Sequence, residues 1–251
     1  ETNNVIKYFE QELERTRKVL TEAEDSLRDY NVEKRVINYD EQTKHVAVLS
    51  RDFELRYEDT RIELANTQRL MEVMDDRIDE HVKQLRNNTL FVDKLRTISN
   101  LTARITTLES FQNDTLAQAL DQPLTARPAG SSTTSISSLK QQLAKAQGEL
   151  TELTHALGNQ YYAQEGLSTS TLVAQWLDVL IRNEKAKAEM KVLQEWKDRL
   201  DDRYVFYAPV GTTIKRKQRE INFTEQSYLS ILHGLNMARL KQKSLQITSA
   251  T

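Results

Sequence analysis

In the stretch Ile136-Ser-Ser-Leu-Lys-Gln-Gln-Leu-Ala-Lys-Ala-Gln-Gly-Glu-Leu-Thr-Glu-Leu-Thr-His-Ala-Leu157, apolar residues recur in alternating steps of three and four. This average repeat of 3.5 residues keeps one narrow side of a helix facing a partner helix, which is the condition for a coiled coil. The same rhythm runs through 172–204, and near the start of the chain it spaces Ile6, Leu13, Leu20 and Leu27 seven apart. The sequence therefore predicts long helices paired through narrow apolar seams.

The composition fits such helices better than a globular domain. Hydrophobic residues make up 38% of the 251 residues, charged residues make up 29%, and the mean hydropathy is -0.64. A coiled-coil seam needs only about two apolar residues in seven, so a low hydrophobic fraction is sufficient. The three prolines fall in two short segments, at Pro123, Pro128 and Pro209. Because proline interrupts helices, the rest of the chain can be helical.

The charge balance and the lack of cysteine exclude several classes of function. Lysine and arginine total 35, aspartate and glutamate total 37, and the net charge is -2. This balance gives no global field for nucleic acid, so no nucleic-acid partner is expected. Without cysteine there are no disulfides or thiolate metal sites. No apolar run approaches the ~20 residues of a membrane span. We expect the chain to be a segment excised from a longer protein.

Four helical blocks are predicted, separated by three breaks. The blocks cover about 3–30, 40–118, 137–204 and 214–247. The clearest loop is 120–135, where proline, glycine and serine are dense enough to end a helix. The other breaks are 31–39, which contains β-branched residues, and 204–213, which contains a proline and a glycine. A further interruption is expected at 158–171, which contains two glycines.

The matching block lengths favour one antiparallel coiled-coil hairpin. The predicted fold class is all-α, with 1–251 as a single elongated domain in the form of an extended rod. In it, 40–118 and 137–204 form a long hairpin, and 120–135 is the loop at its tip. A compact three- or four-helix bundle is the alternative fold.

The base and the bend of the rod follow from the same pairing. The helix pair 1–30 and 214–247 forms the base, and the breaks at 31–39 and 204–213 face each other. A break in one helix of a coiled coil exposes the seam of its partner unless the partner is broken at the same level. Aromatic residues flank both breaks and are predicted to form one cluster at the bend: Tyr30, Tyr39, Tyr204, Phe206 and Tyr207.

No catalytic, cofactor-binding or metal-binding residues are predicted. The histidines lack the spacing of zinc ligands: His45, His81, His155 and His233. One acidic cluster could hold a divalent cation but is more typical of a solvated helix face: Asp75, Asp76, Asp79 and Glu80. No glycine-rich loop that would hold a phosphate is present, so no cofactor is expected.

One concentrated basic patch lies at the predicted start of the last helix. Lys215, Arg216 and Arg219 occupy the first turns, where cations oppose the helix dipole. An anionic polymer or an acidic surface of a neighbouring protomer would explain this placement. Pairing with acidic residues of the first helix, such as Glu22 and Glu24, explains it equally well.

Two stretches resemble a known family. The first is Ile37-Asn-Tyr-Asp-Glu-Gln-Thr-Lys44, which follows a heptad helix. The second is Tyr207-Ala-Pro-Val-Gly211 with the helical pattern Ile214-Lys-Arg-Lys-Gln-Arg-Glu-Ile221 after it. Together they resemble the periplasmic helical region of polysaccharide co-polymerases, the chain-length determinants of the Wzz and GumC type. In that family a proline break precedes a helix with an Arg-Glu/Asp pair and a later tyrosine followed by leucine, positions occupied here by Arg219, Glu220, Tyr228 and Leu232.

This resemblance implies a non-enzymatic periplasmic scaffold of an inner-membrane protein. Such a scaffold would regulate polysaccharide chain length or couple polysaccharide synthesis to export. It would form a homo-oligomer through membrane regions outside this chain. Its further partners would be a polysaccharide, a polymerase or an outer-membrane export channel.

Two other functions are compatible with the helical pattern. One is a periplasmic adaptor hairpin of an efflux or secretion system, and the other is a cytosolic coiled-coil tether. Flanking lipoyl-like β domains would favour the adaptor, whereas two flanking membrane helices with a proline-rich segment would favour the co-polymerase. A gene without membrane helices would favour the tether.

Overall fold

The chain is all-helical in a computed structural model that describes residues 2–78, 80–113, 135–162 and 167–249, and no strand occurs in these ranges. The helices are α1 (Thr2–Glu33), α2 (Tyr39–Asp75), α3 (Glu80–Lys83), α4 (Thr89–Asn113), α5 (Ile136–Tyr162) and α6 (Leu167–Ser249). A 3₁₀ turn, Gln84–Asn87, joins α3 to α4. The predicted all-α class is confirmed. The predicted tip loop lies outside the described residues, except for Ser135.

The chain divides into two compact units. The hairpin unit comprises Glu1–Thr43 and Tyr204–Thr251, and the bundle unit comprises Lys44–Arg203. Helix α6 contributes residues to both units, and so does α2.

In the hairpin unit, α1 pairs in antiparallel fashion with the last part of α6. Residues near the start of α1 contact residues near the end of α6: Arg239 forms an ion pair with Glu10 at 2.7 Å. Gly234 allows close packing here, because a Cβ at that position would lie 2.9 Å from the Phe9 ring. Ile6, Ile221 and Leu235 are buried in the seam. The apolar residues at heptad spacing thus form the seam between the two helices.

A tight turn at 34–38 joins α1 to α2. Arg35 adopts a positive φ of 53°, and the Val36 amide donates to the Asn31 carbonyl at 2.8 Å, which satisfies a carbonyl at the end of α1. The side chain of Asn38 then caps α2 by accepting from the Glu41 amide at 3.2 Å. The break predicted at 31–39 is present, and it is shorter than predicted.

In the bundle unit, α2, α4, α5 and α6 pack side by side with alternating directions. Phe53 of α2 stacks on Trp196 of α6 with ring centroids 5.7 Å apart. Lys94 near the start of α4 bonds Glu149 in α5, whereas Glu109 near the end of α4 pairs with Lys140 near the start of α5. Their buried core includes Phe91, Ile98, Leu139, Leu150 and Trp176.

The predicted continuous helix over 40–118, one arm of the long hairpin, is wrong. Helix α2 ends at Asp75, and α4 begins at Thr89 after Asn88, whose side chain accepts from the amides of Leu90 and Phe91 at 3.0 and 3.2 Å. The chain turns back because this buries apolar side chains that one long helix would leave exposed. Those of the turn are Ile78, Val82 and Leu85.

The predicted break at 204–213 is also wrong, and with it the pairing of two breaks. Helix α6 runs from Leu167 to Ser249 with Pro209 inside it. A proline costs a helix about 3 kcal/mol. Here Tyr207, Val210 and Gly211 are buried at helical spacing, so packing of this face offsets the cost. At the interruption predicted over 158–171, α5 ends at Tyr162 and α6 begins at Leu167.

Replacing Arg35 by glycine should stabilise the protein. A left-handed conformation costs an L-residue about 1–2 kcal/mol, and glycine avoids that cost while losing about 0.5–1 kcal/mol in backbone entropy. We therefore expect Arg35→Gly to raise the free energy of unfolding by ~0.5–1 kcal/mol in urea titrations. Arg17→Gly, the same change at an exposed helical position of α1, should lower it by ~1 kcal/mol. Equal losses in the two variants would contradict the turn geometry.

Candidate functional site

The three predicted basic residues lie on one exposed face of α6, which we call the basic face. Lys215, Arg216 and Arg219 are all exposed, and none forms an ion pair with a carboxylate of the described residues. Thr212 and Gln218 lie beside them on the same helix, so the surface is open and shallow. The basic face is therefore accessible to a large anionic partner rather than to an enclosed small ligand.

The prediction that Lys215, Arg216 and Arg219 lie at the start of a helix is wrong. Helix α6 begins at Leu167, so Lys215 lies far inside the helix rather than in its first turn. The dipole acts only within the first and last turns. Binding of an anionic partner by the basic face is therefore supported by its exposure and by its lack of carboxylate partners among the described residues.

The neighbouring Lys217 points instead toward α1. Its ammonium group donates to the Ser26 hydroxyl at 2.6 Å and lies 5.8 Å from the centroid of the Tyr30 ring. Lys34 lies at the same distance from that ring. Tyr30 therefore has two cations as neighbours, and it is not part of an aromatic cluster as predicted.

The structure brings three of the five predicted aromatic residues together. The rings of Tyr39 and Tyr207 lie edge to face, 6.4 Å apart, and the Tyr39 hydroxyl donates to the Tyr207 carbonyl at 3.2 Å. Phe206 approaches Tyr207 edge-on at 5.3 Å. Tyr204 is 71% exposed and lies outside this group. The contact joins α2 to α6 within the hairpin unit.

Gly211 is what allows Tyr39 to lie this close to α6. A Cβ built on Gly211 would lie 2.0 Å from the Tyr39 hydroxyl oxygen and 2.1 Å from Cζ. Any larger residue would therefore displace the ring. The glycine that was predicted to break the helix instead makes room for a contact across two helices.

A network of charges joins all four helices of the bundle. Arg56 of α2 contacts Glu189 of α6 at 2.7 Å and Glu109 of α4 at 3.2 Å. Lys140 of α5 contacts Glu109 at 2.9 Å. Burial raises the pKa of Glu109, but the hydrogen bonds and charges of Lys140 and Arg56 together outweigh it, so its pKa lies below the ordinary value. Glu109 is thus held ionised between two helices that supply cations.

A second polar cluster closes the end of the bundle where α2 turns into α3. Arg86 binds Asp75 through two hydrogen bonds of 3.0 and 3.1 Å, and the Trp176 indole N–H donates to the same carboxylate at 3.2 Å. Phe91 stacks on Trp176, which is fully buried. Sequence reasoning missed this cluster. The helix-start signal at Asn88 was the feature that could have revealed the turn.

Helix α2 also carries an outer stripe of apolar residues. Val48, Leu55 and Ile62 lie seven residues apart, and each is more than half exposed. The opposite side of α2 faces the bundle with buried Thr60 and Thr67. Leu49 and Phe53 are buried on that side too, so α2 carries apolar side chains on both its inner and its outer side.

The acidic cluster near the end of α2 offers little for a cation. Asp75 already binds Arg86 and Trp176, and Asp79 lies outside the described residues. Within the described ranges, no three histidine, aspartate or glutamate side chains are placed to hold a metal ion. No helix in those ranges is both long and apolar enough to cross a membrane.

The charge network should make stability depend on pH through Glu109. Because its folded pKa is lowered, Glu109 contributes stability above the unfolded value of about 4.3, and this is lost as pH falls through the folded pKa. Glu109→Gln should lower the free energy of unfolding by ~1 kcal/mol at pH 7. That deficit should shrink below pH ~4 in urea titrations repeated across pH.

The matched control is Glu58→Gln, which removes an exposed pair with Arg61 inside one helix. It should change stability less than Glu109→Gln at every pH. A Glu109→Gln deficit that stays constant down to the acid transition would contradict the role assigned to this carboxylate.

No family model, curated protein or solved structure matches this chain. The roles given to its residues therefore rest on the sequence and on the contacts described above.

Proposed function

We propose that the chain is a non-enzymatic helical scaffold that assembles with copies of itself. The observation that carries this proposal is the outer stripe of α2, Val48, Leu55 and Ile62, which repeats every seven residues on an uncovered face. The inner side of α2 is itself apolar at Leu49 and Phe53, which pack on α6, so apolar side chains lie on two sides of this helix. An arrangement of this kind fits a helix that is buried on both sides in an assembly.

The occupant proposed for the outer stripe is α2 of a second copy, in antiparallel orientation. A two-fold interface uses the same surface on both copies, so a self-complementary apolar stripe satisfies it. Glu54 and Arg61 flank the stripe on one edge, and an antiparallel copy would bring each against its opposite. A parallel copy would instead bring Glu54 against Asp59, which is unfavourable.

Within this class, the narrower proposal is the periplasmic helical region of an inner-membrane polysaccharide co-polymerase. Its support is the sequence pattern from Tyr207 to Leu232 and the preceding stretch Ile37–Lys44. The antiparallel pair of α1 and α6 would serve as its coiled-coil arm. Chain-length control or export coupling would then follow from assembly rather than from chemistry at a pocket. Deleting the gene should change polymer length in the cell, and restoring the gene should reverse that change.

The basic face is the surface proposed to meet the polysaccharide. Lys215, Arg216 and Arg219 are exposed cations with no carboxylate partner among the described residues, so they can bind anionic groups without first breaking an ion pair. An acidic polysaccharide offers carboxylates at regular intervals along an extended chain. Several weak contacts in a row would hold it without a pocket.

Charge on the outer stripe should dissociate the assembly. Burial of a leucine or isoleucine contributes about 1.5–3 kcal/mol, so Leu55→Glu with Ile62→Glu should raise the dissociation constant on the order of 100-fold or more. Sedimentation velocity measures the change, and circular dichroism checks helicity. Ile37→Glu, at another exposed apolar position, is the control and should have no effect. A wild-type chain that remains monomeric at ~0.1 mM would refute self-assembly through this stripe.

Loss of the basic face should weaken binding of an acidic polysaccharide. The triple variant Lys215→Gln, Arg216→Gln and Arg219→Gln should bind a polyuronate at least about tenfold more weakly at low salt, with the difference shrinking as salt screens the charges. The control triple, with glutamine at Arg15, Arg17 and Lys18 of α1, removes the same charge from another exposed face. Equal weakening in the two triples would mean that only net charge matters, and the basic face would lose its role.

A further inference from the structure

Two residues that disfavour a helix lie two positions apart inside α6. Pro209 lacks an amide hydrogen, so the carbonyl of Val205 loses its helical donor. Gly211 adds a cost of about 1 kcal/mol relative to alanine. The sequence here favours a break, yet the chain is helical on both sides and through the middle. Something outside the segment must hold it in the helical state.

Tyr39 supplies that contact. Its ring lies against Gly211, and its hydroxyl donates to the Tyr207 carbonyl at 3.2 Å, one turn before Gly211. Tyr39 therefore contacts the backbone on both sides of Pro209. The ring position itself depends on the turn at 34–38 and on the cap by Asn38, which fix the start of α2.

The helical state leaves apolar surface uncovered at the same place. Tyr204 and Val205 are 71% and 70% exposed, and Phe206 is nearly half exposed. These three residues lie three to five positions before Pro209. An unwound segment could turn them inward, so the helical and unwound states differ less in free energy than in an ordinary helix interior.

We propose that the turn of α6 around Pro209 is a two-state element controlled by Tyr39. The segment is helical when Tyr39 is docked on Gly211, and it unwinds locally between Val205 and Thr212 when Tyr39 leaves. A movement of the start of α2 by a few ångströms would therefore interrupt the helical structure of α6 at this point. This device goes beyond the proposed scaffold function and does not depend on it.

Hydrogen exchange of the whole chain, read by residue or by short peptides, tests the proposal. The amides of 210–213 report the turn, because each donates across Pro209 or its neighbours in a helix. Tyr39→Ala should speed their exchange about tenfold, as expected for loss of one aromatic contact and one hydrogen bond. Tyr39→Phe, which keeps the ring, should give a smaller increase. Amides at 224–235, deeper in the same helix pair, should change little.

Pro209→Ala provides the decisive comparison. With a normal helix at this position, Tyr39→Ala should no longer speed exchange at 210–213 selectively. Asp201→Ala, at an exposed side chain of the same helix outside the contact, should leave exchange as in the wild type. Equal acceleration at 210–213 and 224–235 in Tyr39→Ala would show that Tyr39 stabilises only the helix pair as a whole. An unchanged effect of Tyr39→Ala in the Pro209→Ala background would likewise overturn the two-state element.

Discussion

Helix α6 carries an apolar seam that is covered in both units, because each apolar side chain left in water costs free energy. In the hairpin unit α1 covers the seam at Ile221 and Leu235. In the bundle unit the seam meets α2 at Leu193 and Leu200. Trp176 packs there against Phe91 of α4. The seam is narrow where one helix faces it, and it broadens where more helices pack around it.

The regular part of this arrangement could be predicted from the sequence. Helices α1 and α5 have uninterrupted heptads, and a strict repeat specifies both the helix and the face that it buries. The turn at 34–38 was also predictable, because the heptads of α1 lapse just before the capping residue Asn38. The reversal of the chain at 76–88 was not predictable from the sequence. Two short helices can share one apolar rhythm, so periodicity alone does not reveal where the chain reverses.

Pro209 shows the opposite failure. Local sequence predicted a break with good reason, since proline and glycine both disfavour helix. The decisive contact comes from Tyr39, which is 168 residues away from Tyr207 in the chain. No pattern within 204–213 reports a partner at that separation. The basic face was predicted from its supposed position at the start of a helix. Because α6 continues through 204–213, these residues lie far inside a helix, so that reason was wrong.

The contacts inside the bundle hold α2 in place without its apolar outer stripe. Thr67 is fully buried and accepts a hydrogen bond from the Asn183 side chain at 3.0 Å. Arg56 forms ion pairs with Glu189 and Glu109. Such polar contacts depend strongly on geometry, so they fix the alignment of α2 on α6 but contribute little net free energy. Leu49 and Phe53 add apolar contacts with α6, whereas Leu55 and Ile62 lie on the outer side and stay exposed. An aligned inner side and an exposed apolar outer side are together the properties that the proposed self-assembly requires of α2.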